Sequence, residues 1–138
     1  MESCSGSRSI IDVNAVVQKH VGIVGNLLSA HALTGCDTVS SFARIGKTTV
    51  MNKLKVFCNY IDLGNPHSVL DDVVCSAGKF VATLYGHNID SSFETLRHAS
   101  FSKAIGNRKL LPPKLCKLPP SMAALRLHCA RAHFQFTL

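Results

Sequence analysis

The hydrophobic pattern is clearest between positions 69 and 85. Val69, Leu70, Val73, Val74, Ala77, Phe80, Val81, Leu84 and Tyr85 recur at three- and four-residue steps, and Gly86 follows. That spacing predicts an amphipathic helix with a glycine stop. Ser68, with Asp71 three residues on, supplies a capping-box-like start. Earlier, Asp12 is a good N-cap for a helix carrying Val13, Val16 and Val17 on one face. Ile23, Val24, Leu27, Leu28 and His31 repeat at helical spacing up to Gly35; a short strand over 21–24 is the competing reading. Val39 to Ala43 fits a short turn. Lys47 to Tyr60 reads as a helix with Val50, Met51, Leu54, Phe57 and Cys58 inward, and Asp62-Leu-Gly-Asn-Pro66 as a loop.

Further on, Ser91-Ser-Phe-Glu94 is a full capping box. It opens a shorter helix with Phe93, Leu96 and Phe101 as burial candidates, ended by Gly106-Asn107. Leu111-Pro-Pro and Leu118-Pro-Pro bracket an extended segment, because proline forbids helix there. A last helix over 121–136 carries Met122, Leu125, Cys129 and Ala132 on one stripe. The expectation is an all-α fold of five to six helices. A flexible terminus over 1–10 precedes a helical domain over 11–106, a Pro-rich connection over 107–120 and a C-terminal helix over 121–138.

Composition narrows the class. The chain is 46% hydrophobic and 17% charged, which speaks against disorder across its 138 residues. Its longest uncharged run, 21–36, is interrupted by Asn26, Ser29, His31 and Thr34 and is too short to span a bilayer, so a soluble chain is expected. The cysteines form no CxxC pair and no signal peptide precedes them. That argues against a zinc site or a disulfide framework and for a reducing compartment, nuclear or cytoplasmic. Charge is placed unevenly. Positions 1–94 hold seven bases against eight acids, net −1, whereas 95–138 hold eight bases and no acid, within an overall +7. A one-sided basic half either attracts polyanions such as DNA or simply solvates the surface.

Few residues carry candidate chemistry. Gly46-Lys47-Thr48 looks like the end of a P-loop, but that motif needs glycine at position 41, where Ser stands, so no nucleoside triphosphate is expected. What remains is a backbone turn able to hold a nucleic-acid phosphate, with Lys47 beside it, or an ordinary glycine before a helix. Asp37 is a candidate ligand for Mg²⁺, although such cations usually draw on several carboxylates. The one acidic pair, Asp71 and Asp72, is explained by its place at a helix N-terminus. His31 and Cys36 lack a third orienting group for thiol catalysis, and His128 and His133 are misphased for a metal. Lys114, Lys117, Arg126 and Arg131 could track a phosphate backbone, with Phe134 and Phe136 stacking on bases or packing in the core.

Three blocks carry a resemblance. They are His31-Ala-Leu-Thr-Gly-Cys-Asp37-Thr38 with Gly46-Lys47, then Phe80-Val-Ala-Thr-Leu-Tyr85-Gly86, then Leu118-Pro-Pro-Ser-Met-Ala-Ala-Leu-Arg-Leu-His-Cys-Ala-Arg131-Ala-His-Phe-Gln135. In order and spacing they resemble a large group of repetitive, transposon-associated animal proteins, which brings no established activity with it. Over about 25 residues the first block is also similar to the flap-endonuclease branch of PIN-like nucleases. That resemblance implies Asp37 as a metal ligand and Ile45, Gly46, Lys47 and Thr48 as a turn holding duplex phosphates. The first glycine of that turn is replaced by Arg44, and its proline is absent. Such nucleases take their other carboxylates from an N-terminal α/β half, whereas only Glu2 and Asp12 precede Asp37 here. The expectation is therefore a helical, DNA-binding remnant of a PIN-like protein, not catalytic alone; completed by its missing half, it would be a Mg²⁺-dependent nuclease. The alternative is a helical protein-interaction module, or a gene fragment, with no nucleic-acid role.

Overall fold

The computed structural model describes residues 10–57, 60–88, 93–106 and 114–137. Among them the chain forms six α-helices, one 3-10 turn and no strand: α1 (Val13–Lys19), α2 (Val21–Leu33), α3 (Lys47–Leu54), α4 (Leu70–Leu84), α5 (Phe93–Gly106), the 3-10 turn (Leu115–Lys117) and α6 (Met122–Thr137). The all-α expectation holds. The Ser91–Ser92 half of the capping box, the 107–113 segment, Cys58 and the N-terminal nine residues lie outside the described residues.

Helix α4 is the centre. Val73, Val74, Ala77, Phe80, Val81 and Leu84 are all buried along its inner face, and α6 packs across it through Leu125, Cys129 and Ala132. Gly78 lies at their contact, with Leu125 nearest to where a Cβ would stand, at 3.6 Å. The helix ends in a Schellman motif: the Gly86 N–H donates to Thr83 O and the His87 N–H to Ala82 O, with Gly86 at φ 80°. Its start differs from the sequence expectation. Val69, extended and without a side-chain cap, is the N-cap, and Ser68 donates its backbone N–H to Asn65 O instead. Val69 itself is exposed.

Helices α2 and α3 complete the core against α4 and α6. In α2 the inward side chains are Ile23, Ser29, Ala30 and Leu33, not the larger Val24, Leu27 and Leu28 that the pattern favours, and 21–24 is helix rather than strand. The reason lies in the loop after α3, which presses against α2 and brings its own polar backbone. Asn26 Oδ1 accepts from the Ile61 N–H at 2.9 Å and the Ser29 hydroxyl donates to Leu63 O. Polar partners on that face satisfy backbone groups that burial would otherwise strand. The same loop is pinned by Ser76 Oγ, accepting from the Asp62 N–H, and by His133 Nδ1, accepting from the Gly64 N–H.

Helix α3 is shorter than expected, closing at Leu54 rather than near Tyr60. The chain tightens, with Phe57 N–H donating to Leu54 O, so that Phe57 turns inward to meet Phe80 edge-on at 4.9 Å. Helix α1 keeps the predicted cap, Asp12 Oδ1 accepting from the Ala15 N–H, yet buries none of its residues. Leu96 of α5 is buried while Phe93 and Phe101 are only half-buried. On α6, Met122 is exposed and His128 takes a buried place beside Leu125 and Cys129. The 3-10 turn interrupts what the prolines predict as extended chain. No described helix is long and apolar enough to cross a membrane.

Candidate nucleic-acid interface

Two features meet in the loop between α2 and α3. The first is the corner that carries Asp37 and Lys47. Helix α2 ends with the Thr34 hydroxyl donating to Ala30 O at 2.6 Å and with Gly35 at φ 107°. A Cβ on Gly35 would stand 2.8 Å from the Cα of Ser41, so only glycine lets the loop fold back here. The Cys36 N–H donates to Val39 O. Lys47, the first residue of α3, reaches back to this end: its ammonium donates to His31 O at 2.9 Å, Gly35 O at 2.5 Å and Thr34 Oγ1 at 3.2 Å. All three ammonium protons are thus directed at the C-terminus of α2, where a cation also meets the negative end of the helix dipole. Burial lowers the pKa of Lys47.

The turn leading into α3 retains an open side. Gly46 is the N-cap with no side-chain bond, and Gly46, Lys47 and Thr48 are exposed; the first N–H groups of any helix have no partner within it. Arg44 has φ 65° and is the sole non-glycine with positive φ among the described residues. It occupies the position at which the resembled nuclease turn carries glycine. Asp37 is exposed in the loop, beside the Cys36 thiol and the Thr38 hydroxyl. Among the described residues no three His, Cys, Asp or Glu side chains gather as a metal site requires. One carboxylate with a soft thiol neighbour does not fit the several hard oxygen ligands of Mg²⁺. Hydrogen bonds from Thr38, side chain before backbone, lower the pKa of Cys36. Thr38 Oγ1 also lies against the side-chain amide of Gln135 on α6.

The second feature is a cleft of about 520 Å³ on the other side of the same loop. Ser40, Ser41 and Phe42 form one wall, Leu115, Cys116 and Leu118 another, and Ala124, Leu127, His128 and Arg131 of α6 the floor. The α6 residues lie at i, i+3, i+4 and i+7, one stripe of the helix. Arg97 of α5 closes one end, one guanidinium N–H donating to Pro119 O at 2.7 Å, and the Tyr85 hydroxyl donates to Ala43 O. The floor is rigid. His128 Nε2 stands 2.7 Å from Leu33 O, and since a carbonyl only accepts, that nitrogen carries the proton; the ring also packs on Phe42 at 4.7 Å. Among the described residues two arginines line the cleft and no carboxylate does. Lys114 and Lys117, both exposed, bracket the 3-10 turn that forms its wall.

The four C-terminal bases therefore divide. Arg131 lines the cleft, and the exposed Lys114 and Lys117 are chain neighbours of its wall residues Leu115, Cys116 and Leu118. Arg126 points the other way and pairs with Asp71 at the start of α4, both side chains exposed. His133 serves the Gly64 N–H, Phe136 packs against Gly64, and Phe134 is exposed. The sequence pattern singled out Arg131 and the two lysines but not Arg97, Ser40, Ser41 or Tyr85, which no spacing rule links. Comparison with protein-family models, with curated proteins and with solved structures finds no match in any of the three.

Proposed function

We propose that this chain is a helical nucleic-acid-binding domain without catalytic activity of its own, which holds a phosphate backbone at the cleft between the α2–α3 loop and α6. The observation that carries the reading is the lining of that cleft, with Arg97 and Arg131 in it and no carboxylate among its described residues, while the exposed Lys114 and Lys117 are chain neighbours of its wall residues Leu115, Cys116 and Leu118. Guanidinium groups bind phosphate by paired N–H donation, and lysines nearby add attraction that salt screens. Phe42, Leu118 and Leu127 offer an apolar surface to the sugar or base beside such a phosphate. Contacts of this kind position a strand without reading its sequence. Hydrolysis is not assigned to the chain, because Asp37 offers a single carboxylate; Mg²⁺ enters only if a further protein supplies the rest of the ligand set.

The test is anisotropy of a labelled oligonucleotide at two salt concentrations. Binding should weaken steeply as salt rises, and Arg131→Ala or Lys117→Ala should each flatten the slope by about one unit. Absence of binding at low salt, or binding indifferent to both substitutions, would overturn the reading. A protein-interaction module is the second reading. It is favoured by Lys47 and Arg126, two of the expected phosphate contacts, which already have partners within the chain, Lys47 at the end of α2 and Arg126 in an exposed pair with Asp71.

A further inference from the structure

The cleft between the α2–α3 loop and α6 is lined by more apolar than charged side chains. Two of them, Leu115 on one wall and Leu127 on the floor, are 65% and 68% exposed and stand outside the core cluster. Phe42 and Leu118, both buried, line the same space, and the exposed Ser40 and Ser41 bring hydroxyls to it. The cations are Arg97 and Arg131. Arg97 gives one of its five N–H donors to Pro119 O, which sets the guanidinium in place before any ligand arrives.

We infer, resting on the reading that this cleft holds phosphate, that its ligand is an unpaired nucleotide of single-stranded nucleic acid, with the base on Leu115 and Leu127 and the flanking phosphates on Arg97 and Arg131. Size admits it. At about 520 Å³ the cleft falls within the roughly 300–1,000 Å³ of sites that enclose small organic ligands, which is room for one nucleotide. Base pairing decides against the duplex. Paired bases stack on one another and turn only their edges to the grooves, so no base face is free to meet the leucines. An unpaired base has a free face, and apolar side chains as well as aromatic rings stack on it. Charge decides against an uncharged apolar peptide, which would cover the leucines and leave both guanidinium groups unmatched. Electrostatics alone favours the duplex, whose charges follow one another every 1.7 Å or so along the axis. A preference for the single strand therefore reports the apolar walls.

Anisotropy of a short labelled oligouridylate at one low salt concentration tests it, with the strand free, annealed to its complement, and replaced by an abasic strand of equal length. The free strand should bind at least about tenfold tighter than the duplex, and the abasic strand should fall to the duplex level. Leu115→Ala and Leu127→Ala should each weaken the free strand roughly fivefold and leave the duplex and the abasic strand as they were. Both leucines are exposed, so the far-UV spectrum should not change. Arg131→Ala should weaken all three probes, and Val56→Ala, at an exposed valine outside the cleft, none of them. Ribose and deoxyribose forms of the strand, measured side by side, assign the preferred ligand to RNA or to DNA. Duplex binding as tight as that of the free strand, or free-strand binding that neither leucine substitution weakens, would overturn the single-strand assignment while the Arg131→Ala loss on the duplex still upholds the phosphate site. Absence of binding to every probe would overturn both.

Discussion

Replacing Lys47 by methionine separates the two roles open to that residue. Methionine keeps most of the apolar stem and removes the ammonium, so the loss is that of three hydrogen bonds and one charge. Charge-assisted bonds contribute about 1.5–3 kcal/mol in favourable settings, but His31 O and Gly35 O lie at exposed positions and regain water. Thr34 Oγ1 keeps its own bond to Ala30 O. The favourable placement at the end of the α2 dipole adds about 0.3–1 kcal/mol, and relief of the partly desolvated ammonium offsets some of the total. The net expectation, after discounting for solvent screening, is a loss of about 1–2 kcal/mol. In urea unfolding followed by circular dichroism the midpoint should fall by roughly 1 M with an unchanged slope. Oligonucleotide affinity and its salt dependence should stay as they were. An unchanged midpoint with a salt slope reduced by about one unit would refute the reasoning, because it would mean that Lys47 leaves α2 for a phosphate.

Glycine positions and ionisable burial give the remaining expectations. Gly35→Ala should destabilise by more than about 2 kcal/mol, combining positive φ with a backbone clash at Ser41; Gly25→Ala, mid-helix with nothing within 4 Å of the new methyl, should stabilise by about 0.5–1 kcal/mol. Thermal midpoints measured side by side should move in opposite directions. Arg44→Gly should raise stability by about 1 kcal/mol by relieving φ 65°. Alkaline pH should unfold the chain through Cys129, which burial pushes up from 9.0 to about 12. Below pH 9 the thiol is neutral folded or unfolded; above it the unfolded chain ionises first, so stability falls by about 1.4 kcal/mol per pH unit until pH 12. Burial raises Tyr85 in the same sense, so the part due to the thiol is the slope that Cys129→Ala removes from melts between pH 9 and 11.

What the sequence makes legible depends on how many faces an element must satisfy. Helix α4 has one apolar stripe and a glycine stop, and both are found in the structure from Val73 onward, only Val69 at the start being left exposed. Helix α2 is apolar nearly all round, so hydrophobicity alone cannot tell which stripe faces the core. The larger Val24, Leu27 and Leu28 lose that place to Ser29, Ala30 and Asn26, because the loop over residues 60–64 brings polar backbone that only small or hydrogen-bonding neighbours can accommodate. Helix α3 reads as continuous through Phe57 since the inward pattern persists after the helix ends; the contact with Phe80 keeps the side chain inward while the backbone turns.

The candidate site divides along the same line between local and distant information. Lys114, Lys117 and Arg131 stand out from charge placement, whereas the cleft that Arg131 lines needs Ser40, Tyr85 and Arg97 brought together from three other parts of the chain. Gly46-Lys47 is legible as a turn opening a helix, yet what the lysine holds is set by carbonyls 12 and 16 residues earlier. Arg44 joins the two scales. A positive φ at a non-glycine carries a conformational cost of about 1–2 kcal/mol, and this loop keeps it while Ile45 closes the turn onto Phe42 O. The backbone path from Gly35 to Gly46 is therefore held by the ammonium of Lys47 on Gly35 O, by Thr38 on Gln135 and by the packing of Phe42 on His128, rather than by the residue at the bend. A loop fixed in that way can tolerate arginine where glycine would relax it, and in doing so it sets one more cation next to Ala43, a wall residue of the basic cleft.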